Sequence, residues 1–529
     1  MKESGRQLSR FAAVFAGGTM ISRVSGLIRD VVWFATIPTS SIGPFLVAFR
    51  FPNMLRDLIG EGATNAAFVP VFSETIEKGS EEDFRELVAS AMSAMLILLV
   101  ALTVAGVLLL PFLLGHLDLL GFFTRSEAPT EESTQHLIHL SCWTFPYLFF
   151  IGMAVFAMGP LFTVRHYATP SWSPVLLNIS LIASCLLLGH RLGEPAYALV
   201  VGVWLGGITQ LAVQYWALGK YVGVWRPSFR LRHPGIRQMF WLLIPVIIGQ
   251  STGEVNKLVD TLFCSVIGPD KVKALFAANR LVQLPLSVFG IAVAAAILPS
   301  ISRAGARGDT EEVRETLLHG IRKTFFLVFP AFLGLIILRE PLVRFLFERR
   351  AFVATDTEQT AEALLFYTLG LLSFVWVKVL ANGFYAIQNT KTPVIVASAS
   401  MLLNVLLNCV LVGPMSYRGL ALATSISFTV NFVLLYLLLC GRFGRLWSPS
   451  FLSAVGRTLL AGVLMGVVTY GTRVRFMHHF AGDALRYRAL CALGPITIAV
   501  VFYIVICAFL DVPDLKEFAG ILRRPRPKA

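Results

Sequence analysis

Apolar runs long enough to cross a bilayer recur from one end of this chain to the other, and no other feature constrains its fold as tightly. A spanning helix needs about 20 mostly apolar residues, and about 14 stretches reach that length. They lie near 10–36, 43–76, 84–114, 133–164, 172–190, 196–219, 237–266, 272–303, 311–337, 360–388, 392–412, 418–441, 449–471 and 485–510. No segment between them is long enough to be a separate soluble domain. Composition agrees: 56% of the 529 residues are hydrophobic and 14% are charged, where a soluble domain carries about 25% charged residues. Mean hydropathy is +0.71. Barrel strands would alternate every second residue over roughly ten-residue segments, which these runs do not do. The expected fold class is therefore an all-α polytopic membrane protein. The second run spans about 34 residues, or about 50 Å as a helix, longer than the hydrocarbon core is thick. Gly60-Glu61-Gly62 is the natural place for a break.

The N-terminal MKESGRQLSR is basic and precedes an apolar run, as in a signal peptide. That run carries Arg23 and Arg29 and lacks a small-residue cleavage site, so it reads as a retained first helix. The net charge of +14 is spread over many short loops, whereas a nucleic-acid binder gathers it into one patch. Loop Lys and Arg serve instead as topology signals. Roughly 25 basic residues fall on the side shared by the termini and about 13 on the other, so both termini are expected in the cytoplasm. Arg339, Arg344, Arg349 and Arg350 fall on the outer side, and PLVRFLFERRAF reads there as an amphipathic helix lying at the interface. The seven cysteines have no metal-ligand or CxxC spacing and read as buried free thiols.

An internal echo links AAFVPVFSE at 66–74 with AAILPSISR at 295–303, and Ser-Pro-Val at 173–175 with Thr-Pro-Val at 392–394. Two six-helix lobes related by a pseudo-two-fold along the membrane normal account for it, a transporter signature that places the substrate site between the halves. The expected division is an N-lobe over 1–225, a C-lobe over 226–445, and two further helices with a basic cytoplasmic tail over 446–529.

Charges inside spans cost a few kcal/mol each on insertion scales, so those that are kept point to function. The first span carries Arg23, Arg29 and Asp30; the second Arg50, Arg56, Asp57 and Glu61; the seventh Glu254, Lys257 and Asp260; the eighth Arg280; the tenth Lys378. Arg23 and Asp30, seven apart, share a face, and Asp57 stacks with Glu61 at i,i+4. These charges could pair among themselves or snorkel. Arg29 with Asp30 could form an internal pair, although adjacent helix positions point apart. For Arg23, Arg29, Arg56 and Arg280 the local carboxylates are too few. Guanidinium is always charged and grips phosphate bidentately, so the reading is a cationic cavity for a phosphate-bearing amphiphile. A second, mostly neutral cluster comprises Asp260, Asn404, Asn408 and Thr424. Its oxygens suit a hard cation such as Na⁺, or the group is inter-helix hydrogen-bond glue. No nucleophile-base pair, phosphate loop or metal motif suggests an enzyme.

At these residues the chain resembles the MurJ/MviN lipid II flippases of the multidrug/oligosaccharidyl-lipid/polysaccharide exporter superfamily. The resemblance rests on SRVSGLIRD at 22–30, VAFRFPNMLRDLIGEGATNAAFVPVFSE at 47–74, NRLVQLP at 279–285, ILPS at 297–300, VKVLANGFYAIQNTKTPV at 377–394 and GLALATS at 419–425. It implies that Arg23, Arg29, Arg56 and Arg280 line a cavity for the lipid II pyrophosphate, with Asp30 and Glu61 at acidic cavity positions. It implies that Asp260, Asn404, Asn408 and Thr424 match a sodium site of some members, and that the last two helices form a groove for the polyprenyl tail. The chain departs from the family pattern at Asn408 and Gly43, where members carry or often carry an acid, and at Arg56-Asp57, where some have two basic residues. The implied partners are lipid II (the undecaprenyl-pyrophosphate-linked muropeptide), membrane lipids and other cell-wall synthesis proteins, with coupling to Na⁺ or to the membrane potential and no other cofactor. The implied location is the bacterial cytoplasmic membrane. A flippase for another polyprenyl-pyrophosphate-linked glycan, a drug or cation antiporter of the same superfamily, and a non-transporting scaffold are the rival readings.

Overall fold

A computed structural model describes residues 5–58, 67–116, 130–225, 227–228, 233–480 and 482–523, and among these every regular element is helical. In chain order the α-helices are α1 (Gly5–Thr36), α2 (Thr39–Asp57), α3 (Val69–Lys78), α4 (Glu81–Gly115), α5 (Glu131–Thr144), α6 (Tyr147–Thr163), α7 (Ala168–Leu188), α8 (Ala196–Tyr221), α9 (Pro234–Ile267), α10 (Pro269–Pro285), α11 (Ala292–Ala306), α12 (Thr310–Phe347), α13 (Ala354–Leu369), α14 (Leu371–Ala386), α15 (Lys391–Met415), α16 (Tyr417–Phe443), α17 (Pro449–His479), α18 (Leu485–Phe509) and α19 (Pro513–Arg523). A π-helical turn, Leu286–Ile291, joins α10 to α11. Among the described residues, eleven helical segments are long and apolar enough to cross a membrane. The expected spans that are not among them, 10–36, 43–76 and 237–266, are those that carry most of the intramembrane charges. The break expected at Gly60-Glu61-Gly62 lies outside the described residues.

The helices gather into two compact units, one of Met1–Lys273 with Arg349–Phe352, the other of Ala274–Glu348 with Val353–Ala529. In the first, α1 packs along α7, α7 along α8, and α9 against α2, α3 and α4. Lipid offers no hydrophobic drive for helices to associate, so close approach through small residues must supply it. Gly18, Ser22 and Gly26 recur every fourth residue on α1 and provide that approach. A Cβ on Gly18 would lie 2.6 Å from the Cβ of Ser171 on α7, and one on Gly26 would meet Asn178. The four-residue return to this unit is anchored by Phe352, whose ring lies 5.7 Å from Phe34 and under the buried Lys273 ammonium.

In the second unit α12 is the longest element, and α13, α14, α17 and α18 pack around it. It contains Pro330 and Pro341. A proline has no N–H, so each leaves the carbonyl four residues earlier without its intrahelical donor. Both carbonyls are capped from neighbouring helices. The Tyr503 hydroxyl of α18 donates to the Phe326 carbonyl at 2.8 Å, and Arg473 Nη1 of α17 donates to the Ile337 carbonyl at 2.9 Å. Phe326, Ala461, Met465, Tyr503 and Cys507 form the apolar contact beside the first cap. Ion pairs fasten both ends: Arg322 to Asp514 and Glu517 at one, Arg344 to Asp483 and Arg473 to Glu340 at the other. The interfacial helix expected from PLVRFLFERRAF is not a separate element. Pro341–Phe347 continue α12, with Pro341, Val343 and Phe347 buried. Pro341 does not end the helix because Arg473 satisfies the carbonyl it frees.

Candidate functional site

The seam between α1 and α7 sets the position of Arg29. Because Gly18, Ser22 and Gly26 admit α7 so closely, Asn178 on α7 reaches the same face of α1 one turn before Arg29. Arg29 Nη1 donates to Asn178 Oδ1 at 3.0 Å, while its Nε and Nη2 donate to Asp30 Oδ1 at 3.0 and 2.7 Å. Its guanidinium carbon lies 4.5 Å from the centre of the Trp33 ring. Arg29 is 8% exposed and Asp30 0%. Adjacent helix positions were expected to point apart. The long guanidinium stem instead swings back around the axis to its neighbour, and the same happens on α2, where Arg56 Nη2 meets Asp57 Oδ1 at 2.6 Å.

These pairs belong to one neighbourhood. Tyr147, wholly buried at the start of α6, lies within electrostatic reach of Arg56, Asp57 and Arg29. Arg50 lies within reach of Asp57, Arg56, Asp260 and Glu254, and its Nη2 meets Glu254 Oε2 on α9 at 3.2 Å. Glu254 also holds Lys257 at 2.5 Å. Helices α1, α2, α6 and α9 thus bring arginines and carboxylates together inside the first unit. The expectation that local carboxylates are too few is corrected here: Arg29 and Arg56 each hold an aspartate. A substrate phosphate would reach them by exchanging with a carboxylate, a swap between two charge-assisted hydrogen-bond acceptors.

Of the other expected site residues, Arg23 is exposed on α1, off the α7 seam. Glu61 lies outside the described residues. Arg280 belongs to the second unit, stacked 5.7 Å from the ring of Phe276 on its own helix. Gly43, where the family often has an acid, packs against the α9–α10 corner. A Cβ there would come 2.4 Å from the Pro269 Cβ, so no acid fits without moving that corner.

In the expected cation set, Asp260 belongs to the first unit, and Asn404, Asn408 and Thr424 to the second. Asn408 Nδ2 donates to Asn404 Oδ1 at 3.0 Å, Asn404 Nδ2 to Thr424 Oγ1 at 3.4 Å, and Thr424 Oγ1 to the Leu420 carbonyl at 3.0 Å. These bonds join α15 to α16. No cluster of three or more His, Cys, Asp or Glu placed to hold a metal occurs among the described residues. An apolar cleft of about 470 Å³ lies in the second unit, lined by Phe325, Trp376, Phe432 and Trp447 and by Phe451 of α17. It is greasy and carries none of the charged chemistry.

Sequence reasoning missed Asn178, Trp33 and Tyr147. The Gly18/Ser22/Gly26 spacing marks the α1 seam, but nothing in one dimension says that α7 fills it.

The sequence profile of the lipid II flippase MurJ family matches residues 36–488. The chain is 34% identical to a probable lipid II flippase MurJ of Vibrio cholerae over 524 residues, covering 97% of this chain and 98% of that one. It is 32% identical to the lipid II flippase MurJ of Burkholderia cenocepacia, covering 87% and 89%. Among solved structures, a lipid II flippase MurJ in an inward closed conformation superposes with a TM-score of 0.77 at 24% identity, covering 94% of this chain and 99% of that one. An inward-facing multidrug resistance MATE family transporter of the MOP superfamily shares the fold at a TM-score of 0.65 and 18% identity, covering 82% and 98%.

Proposed function

The chain belongs to the lipid II flippase MurJ family, and from that membership we propose that it carries lipid II from the inner to the outer leaflet of the bacterial cytoplasmic membrane for peptidoglycan synthesis. It is a transporter and breaks no covalent bond. Both termini lie in the cytoplasm, as the Lys/Arg bias indicates. Two lobes rock in alternating access about a midplane site. The polyprenyl tail stays in lipid beside the last two helices.

The observation that carries the reading is the pair of arginines on α1 and α2, each gripping the next aspartate, within electrostatic reach of buried Tyr147. Planar guanidinium matches a diphosphate bidentately. When the pyrophosphate enters, Arg29 and Arg56 exchange one carboxylate oxygen each for phosphate oxygens, so the site need not hold bare cations while empty. Arg23, exposed on α1, meets the head group first. Release on the outer side lets Asp30 and Asp57 take the guanidinium groups back, which resets the site. The membrane potential acts on the charged cavity during that reset.

A drug or cation antiporter would need an acidic, aromatic cavity, and the arginines here count against it. A flippase for another polyprenyl-pyrophosphate glycan would use the same diphosphate grip. The test is depletion of the protein followed by an assay of lipid II sidedness, complemented with wild type, Arg29→Ala or Arg56→Ala at matched abundance. Wild type restores outer-leaflet lipid II and the two variants do not. Lipid II that keeps reaching the outer leaflet without the protein, or with both arginines removed, overturns the assignment.

A further inference from the structure

We propose that Asn178 on α7 is a positioning residue for the pyrophosphate grip: a neutral clamp that aims the Arg29 guanidinium without cancelling its charge. The inference rests on Arg29 being a substrate ligand, as argued for the function, and adds a residue and a reason for its chemistry.

The geometry fixes the amide in one orientation. Asn178 Nδ2 donates to Ser25 Oγ at 2.8 Å and to the Ser22 carbonyl at 3.2 Å, both on α1. Its Oδ1 accepts from Arg29 Nη1 at 3.0 Å. Turned over, the amide would set N–H against the guanidinium and oxygen against the Ser22 carbonyl, opposing like with like on both sides. Asn178 is 5% exposed, so water does not substitute for these contacts. Ser22 and Ser25 meet α7 through this amide, beside Gly26. The clamp is therefore built into the helix seam.

Neutrality is the functional point. Arg29 already faces one full negative charge, that of Asp30. A second carboxylate at 178 would hold the guanidinium as well in shape but leave the group with a net negative charge that repels phosphate. An amide oxygen orients the fork and leaves one carboxylate to be exchanged. Trp33, against the guanidinium face, restricts the remaining swing.

The test uses the purified full chain and lipid II as the probe, with binding affinity and thermal stability measured side by side for Arg29→Ala, Asn178→Ala, Asn178→Asp and the double change Asp30→Asn/Asn178→Asp. Asn178→Ala weakens lipid II binding about tenfold, the scale of one charge-assisted hydrogen bond. Asn178→Asp weakens it further. The double change returns the wild-type count of carboxylates and recovers most of the affinity, while thermal stability stays lowered. A packing role alone predicts that affinity follows stability across the set and that the double change binds no better than Asn178→Asp, and that result overturns the clamp. If Arg29→Ala binds lipid II as wild type does, the substrate site itself is misplaced and the clamp goes with it. If Arg29→Ala loses binding and the Asn178 variants keep it, the clamp alone is wrong.

Discussion

Tyr503→Phe deletes one oxygen and keeps the ring, and set against Pro330→Ala it separates the capping of a proline-freed carbonyl from the hydroxyl's other contact, the Cys507 thiol. Pro330 cannot donate to the Phe326 carbonyl, and the Tyr503 hydroxyl does so at 2.8 Å from α18. Tyr503 is 6% exposed and no lipid group can replace its donor. A buried acceptor left unsatisfied costs about 1–3 kcal/mol, and the short bond and deep burial place this one near ~2 kcal/mol. The reasoning has a sharper consequence in a second background. Pro330→Ala restores an N–H four residues after Phe326, and the helix can then satisfy its own carbonyl. Tyr503→Phe made on that background costs less than about 0.5 kcal/mol, giving a coupling of about 1.5 kcal/mol between two residues on different helices. The assay is denaturant unfolding of the purified chain in mixed micelles for the four members of the cycle. Equal losses in both backgrounds would show that Tyr503 acts through packing, and the carbonyl-capping argument would be refuted.

Glu254→Gln leaves the Arg50 guanidinium without its carboxylate while both side chains are largely buried, so the protein loses about 3 kcal/mol, the low end for breaking a buried pair; melting of the variant against the charge-swapped Arg50→Glu/Glu254→Arg pair, which regains part of it, checks this. Burial pushes the Asp514 carboxyl above the ordinary carboxylate range although Arg322 donates to it, whereas the hydrogen bond from Lys516 holds Asp511 below that range. A raised acid favours the folded state when protonated, so docking of α19 tightens as pH falls from neutral through the raised value; a lowered acid stabilises when ionised, so docking loosens again as pH falls through the lowered value. Glu517 at the same contact has a lowered value, and it and His319 act in the opposite sense to Asp514. The check is therefore the difference: on acidification from neutral, amide exchange over 513–523 should slow less, or quicken more, in Asp514→Asn than in wild type. The Asn404–Asn408–Thr424 bonds predict translocation at equal rates in Na⁺ and in choline. A several-fold loss in choline would restore the cation reading.

The membrane class and the positions of most spans were legible because burying an uncharged run of about 20 residues in lipid is a local, additive preference. The first, second and seventh spans were legible by the opposite sign, since charges survive in them only if something uses them. Arg29 and Arg56 were singled out that way. Their partners were not. The Arg29–Asp30 and Arg56–Asp57 pairs depend on how a flexible stem bends around its own helix, and helical spacing argued against them. The continuation of α12 through Pro341 depends on an arginine more than a hundred residues later in the chain.

The amino-acid order alone determined that this chain lives in a bilayer and that cations are kept where lipid penalises them, because hydrophobic transfer and charge insertion are properties of each residue in its own span. Which carboxylate each arginine holds, that an asparagine from α7 aims Arg29, and that Tyr503 and Arg473 complete the bonds two prolines remove were decided only by tertiary structure. Hydrogen bonds and ion pairs act over about 3 Å, and distance on that scale is set by how helices pack, not by where their residues fall in the chain.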